Sequence, residues 1–146
     1  MLLFFSKYLN NEPTHFKEKI AKSLHTESLH VNYNPFHQFV PKIHTIRRNE
    51  DFKYDEGISL EMYYNEGFEY LLTAECLSIQ EIFTTYHQGR FEVSIESKYL
   101  YYTDILKLAQ NDGFPSYETF RDYFIAKMNN NGNYTGFIIH WTDFKY

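Results

Sequence analysis

Lys42, Thr45 and Arg47 put an amine, a hydroxyl and a guanidinium at positions i, i+3 and i+5 of the run Lys42-Ile43-His44-Thr45-Ile46-Arg47. In an extended segment side chains alternate faces, so Lys42 and His44 share one face while Thr45 and Arg47 share the other. A bend started by Pro41 lets Lys42 swing round to the Thr45 side. A lysine beside a threonine hydroxyl is the makings of general-base chemistry, and an arginine nearby is ready to bind an anion or a carbonyl. The same run on a plain edge strand is a row of solvated basic residues, and six residues of spacing do not separate the two.

The carboxylate best placed to join that group is Asp112, in Asn111-Asp112-Gly113, where a helix ends at a glycine turn. Its plainer role is that of a turn residue. His30, His37 and His44 recur every seven residues, but their flanks carry no helical period and no cysteine pair, so no metal site is expected. His15, His25 and His87 read as surface residues, and His140 as a hydrogen-bonded structural histidine on an apolar strand. Tyr99, Tyr101, Tyr102 and Trp141 either stack on an unpaired base or fill the core. There is no glycine-rich phosphate loop, no G-x-S-x-G elbow and no H-E-x-x-H.

The elements that must hold these residues are mostly strands. Leu2–Phe5 reads as a first buried strand, and Thr14 as the cap of a helix over His15–Lys22 with Phe16 and Ile20 on its buried stripe. Ser23–Val40 has no period and reads as a loop or lid ahead of the basic run. Arg48–Asp55 is a charged loop. Ile58, Leu60, Met62 and Tyr64 alternate as a strand, Phe68–Phe83 reads as one long bent strand, and Phe91, Val93 and Ile95 alternate again. Thr103 caps a helix over Asp104–Gln110, and Ser116 a second with Tyr117, Phe120 and Phe124 on its stripe. Gly136–Trp141 is the last strand. Ile58, Leu60, Leu72, Val93 and Ile139 are expected to point into one barrel core.

The 146 residues suit one domain with its own core. The formal charge of −5 is unevenly spread: residues 1–53 carry eight Lys/Arg against five Asp/Glu, and residues 54–146 six against fourteen. Such a chain does not attract long polyanions through its overall field, which argues against avid non-specific nucleic-acid binding. A small ligand or a local RNA contact at the basic half is compatible. Cys76 is the lone cysteine, pointing to a reducing, cytoplasmic setting without disulfides. The apolar start Met1–Phe5 is too short for a signal peptide or membrane span, so no membrane association is expected.

The run K-I-H-T-I-R resembles the K-x-x-T-x-R segment that lines the central cleft of the ASCH family of PUA-like barrels. Thr14–Ile20 resembles the helix before that segment, Ala109–Phe114 with Glu118 and Phe120 its acidic helix segment, and Gly136–Trp141 its last strand. The order of these pieces, from about Pro13 to Tyr146, carries the resemblance. The stretch from about Ser23 to Pro41 is extra relative to compact members.

The resemblance implies an α+β fold, a bent and mostly antiparallel barrel with two to three helices, in a single domain over 1–146 carrying an insertion at about 23–41. It implies recognition of a nucleoside or short single-stranded RNA, with Arg47, His44, Trp141 and Tyr102 binding the ligand and no cofactor. Relatives that are amidohydrolases on N(4)-acetylcytidine imply an alternative, with Thr45 as nucleophile, Lys42 as its base and Asp112 in place of their glutamate. A third reading, from a different class, is a protein-binding or inhibitor module whose acidic half mimics nucleic acid.

Overall fold

The alternation at Leu60, Met62 and Tyr64 forms strand β5 (Ser59–Tyr64), which buries those three side chains on one face. The computed structural model describes residues 1–24, 38–48 and 55–146. Residues 25–37 of the insertion expected at about 23–41, residues 49–54 of the charged loop, and His25, His30 and His37 lie outside the described residues. β5 is flanked by β1 (Leu2–Phe5), parallel to it, and by β6 (Tyr70–Glu75), antiparallel. The short pair β2 (Tyr8–Leu9) and β3 (Glu12–Pro13) makes a separate hairpin.

A five-stranded antiparallel sheet completes the framework, in the order β4 (His44–Arg48), β10 (Asn133–His140), β7 (Ser78–His87), β8 (Arg90–Ile95), β9 (Lys98–Tyr99). Phe68–Phe83 is therefore two strands in different sheets, rather than one bent strand. The break falls at Cys76-Leu77, where the Cys76 N–H donates to Ile58 O and the Leu77 N–H to His140 O. One peptide serves each sheet, so the chain changes sheets within two residues.

The fold is α+β with three α-helices, mostly antiparallel sheets, and no sheet closed into a barrel among the described residues. β1 and β4, the outer strands of the two large sheets, meet through a side chain: Arg47 Nη2 donates to Phe4 O at 2.6 Å. A guanidinium crosses the seam where a closed barrel would have a backbone ladder. The apolar interior divides accordingly. Leu60 and Ile139 join Leu3, Phe5, Met62 and Trp141 in one core, with Ile58 and Leu72 half-buried against it, while Val93 joins Ile82, Phe120, Phe124 and Ile138 in another.

The helices clamp the seam. α1 (Phe16–Leu24) buries Ile20 and runs two residues past the expected end, so Ser23 is helical. Thr14 does not cap it. The buried Thr14 hydroxyl donates to Ser6 O and Lys7 O, and His15, at φ 53°, turns the chain before the helix starts. α2 (Tyr102–Asn111) starts ahead of Thr103, and the Asp104 carboxylate accepts the Tyr101 N–H. α3 (Tyr117–Ala126) is capped by Ser116 Oγ, which accepts the Thr119 N–H at 3.1 Å, as expected. No described helix is long and apolar enough to cross a membrane.

Candidate functional site

Lys42 lies outside the strand that carries the rest of its run, because β4 begins only at His44. The Lys42 N–H donates to Lys19 O in α1 and the Ile43 N–H to Asn111 O at the end of α2. These bonds pin the bend after Pro41 and release Lys42 from the strand alternation. Its side chain then reaches the end of α2, where Nζ donates to both Asp112 Oδ1 and Asp112 O at 2.5 Å. Gly113 makes room for this approach. It adopts φ +87°, and a Cβ there would meet Phe16 Cε1 at 2.8 Å and Lys42 Cδ at 3.1 Å.

The pair is closed off from water, with Lys42 2% and Asp112 4% exposed. Aromatic rings surround the ammonium: Nζ is 4.9 Å from the Phe16 ring centre, 5.5 Å from Phe5 and 5.9 Å from Trp141. Burial pulls the Lys42 amine down to about 8, against the opposing charge and hydrogen bond of Asp112, with Arg47 and Lys19 adding to the fall. Burial likewise holds the Asp112 carboxyl above its usual range, opposed by Lys42 and Arg47. Each partner opposes the desolvation of the other.

Lys42, Thr45, Arg47 and Asp112 line one cavity of about 210 Å³ at the β1/β4 seam. Phe4, Phe5, Phe16 and Phe114 supply apolar lining, joined by Asn65 after β5 and Lys127, the residue directly after α3. Thr45 is buried on the β4 wall. Arg47 places its guanidinium 4.9 Å from the Phe5 ring centre and leaves Nε without a partner among the described residues. The basic run and the acidic turn, which are distant in sequence, thus converge.

Three expected ligand contacts do not line this cavity. His44 stands behind the carboxylate rather than in the cavity, fully buried with Nε2 2.7 Å from the Tyr146 hydroxyl and Nδ1 3.8 Å from Asp112 Oδ1. Trp141 follows the end of β10 into the core, where its indole N–H donates to Ser23 Oγ at 3.0 Å. Tyr102 is exposed at the start of α2, against Tyr117. Nor is His140 hydrogen-bonded as expected: neither ring nitrogen has a partner among the described residues. Burial holds its pKa down, to about 4.

The lining residues Phe5, Phe16 and Phe114 are indistinguishable from core positions by pattern alone. Lys127 had a readable signal, a lone cation directly after the α3 stripe. No group of three or more His, Cys, Asp or Glu among the described residues is arranged to hold a metal ion. The chain matches no family model, no curated protein and no solved structure.

Proposed function

We propose that the seam cavity recognises a nucleoside or a short single-stranded RNA, on a PUA-like domain of ASCH type. The observation that carries this reading is the convergence of Lys42, Thr45, Arg47 and Asp112 on one partly aromatic cavity. Aromatic lining suits contact with a base, and the polar side chains suit its hydrogen-bonding edge. At about 210 Å³ the cavity is smaller than the roughly 300–1,000 Å³ of drug-sized sites, which favours a single base over a larger ligand. Arg47 Nε and the Thr45 hydroxyl offer donors, and Asp112 offers acceptor capacity. Lys42 holds the carboxylate in place.

The ion pair favours binding over catalysis. The two bonds from Nζ to Asp112 stabilise the ammonium form of Lys42. An ammonium donates; it does not take a proton from Thr45. The amidohydrolase reading draws on the downward shift of Lys42 beside the Thr45 wall. There Lys42 would accept the Thr45 proton, Oγ1 would attack the acyl carbonyl, and water would release the acyl group after cytidine leaves with that proton.

Titration of nucleosides and a short RNA at two salt concentrations tests the proposal. Binding should saturate, weaken with salt for the RNA, and fall about tenfold or more in Arg47→Ala. Equal binding by wild type and Arg47→Ala would point to a protein-binding module instead. Release of acetate from N(4)-acetylcytidine, lost in Thr45→Ala, would replace the binding reading with the hydrolase.

A further inference from the structure

Beside the seam cavity runs a groove of about 350 Å³ lined by Ile46, Arg47, Arg48, Tyr123, Lys127 and Tyr134. Its polar charge is all of one sign: three cations and, among the described residues, no carboxylate in the lining. That is an unusual concentration in a chain of net charge −5, and more so beside residues 54–146, where acids outnumber bases fourteen to six. Two of the cations rest on rings, Arg48 5.3 Å from the Tyr134 centre and Lys127 4.8 Å from the Tyr123 centre. A ring face positions a cation and fixes where its charge sits. The Arg48 guanidinium also donates to Lys127 O, tying the end of β4 to the end of α3.

Groove and cavity are continuous. They share Ile46, Arg47, Tyr123 and Lys127, and Arg47, whose Nε lacks a partner among the described residues, stands between them. We propose that the groove is a phosphate subsite, so the ligand of the cavity is a phosphorylated one: a nucleotide or an RNA phosphodiester rather than a free nucleoside. This rests on the cavity holding a base. A base in the seam leaves its sugar towards the groove, and a phosphate esterified to the 5′ or 3′ oxygen of that sugar meets the side lined by Arg47, Arg48 and Lys127. Planar guanidinium groups match phosphate oxygens two at a time, and the lysine adds a mobile point charge.

Calorimetric titration tests it with the four common nucleosides, their 5′- and 3′-monophosphates, a short single-stranded RNA with and without a terminal phosphate, and inorganic pyrophosphate. The best-bound nucleoside should gain about 10–100-fold in affinity when phosphorylated, the range of one or two charge-assisted hydrogen bonds. Arg48→Gln and Lys127→Gln should each shrink that ratio. Lys127 is exposed, so its replacement leaves the fold intact. A terminal-phosphate effect identifies a nucleotide ligand, and an RNA indifferent to its end identifies the diester. A wild-type ratio near one, or a ratio unchanged in both variants, overturns the subsite while leaving base recognition standing. Pyrophosphate binding that falls in Lys127→Gln, with no nucleoside, nucleotide or RNA bound, keeps the subsite and overturns base recognition. No binding of any probe overturns both.

Discussion

A buried ammonium needs an anion, and Lys42 finds it seventy residues away in Asp112. Removing one partner strands the other, which usually costs about 3–5 kcal/mol, whereas removing both is far cheaper. Lys42→Met should therefore lower stability by about that amount, and Lys42→Met with Asp112→Asn should recover most of it in chemical denaturation. Equal loss in single and double variants would mean the pair is held by packing alone. The sequence carried Lys42, Thr45, Arg47 and Asp112 as a candidate group, and the bend at Pro41 that unites them. It did not reveal that His44 and Trp141 point into the interior, because residue type is silent about which face of a strand the core occupies. Tyr102 was misplaced for a related reason: an exposed tyrosine at a helix start has the same local pattern as one at a cleft.

At the scale of elements, β4 is held in place by β10. Gly136 sits opposite Arg48 in that ladder, and a Cβ there would fall 2.4 Å from Arg47 O and 2.9 Å from Tyr134 Cε1. Backbone cannot yield as a side-chain end can, so Gly136→Ala should push β4 outward, destabilise the protein by about 1–3 kcal/mol and weaken ligand binding together. Unchanged stability would show that the strands have slack.

His140 and His44 are register partners in the same ladder, with ring centres 5.2 Å apart. Burial lowers both, His140 to about 4 and His44 well below 6.5. Between about pH 6.5 and 4 the unfolded chain therefore binds protons that the folded one refuses, and stability falls as pH drops through that window. His140→Phe should flatten the pH dependence of unfolding by about one proton relative to wild type. An identical slope would contradict the buried neutral state. Strand positions were readable from alternation, but sheet membership was not. The run from Phe68 to Phe83 carries no sequence mark at Cys76-Leu77 beyond a pause in pattern, since the switch is made by backbone bonds that any residue supplies.

For the whole molecule, two sheets with separate cores meet at an unladdered seam, and the candidate site occupies that seam. Clefts between packed units are where ligand sites concentrate. At this scale composition separates a basic first third from an acidic remainder, and the seam brings basic residues of both parts together. The single-barrel expectation had no such support, because alternating strands specify inward faces without specifying whether the sheet closes. The most direct test is amide chemical-shift mapping during titration with the best-bound nucleotide. The expected result is saturating shifts centred on Thr45, Arg47, Asp112, Gly113 and Phe114. Shifts confined to exposed rings such as Phe68, Tyr99 and Tyr102, or no shifts at all, would contradict it.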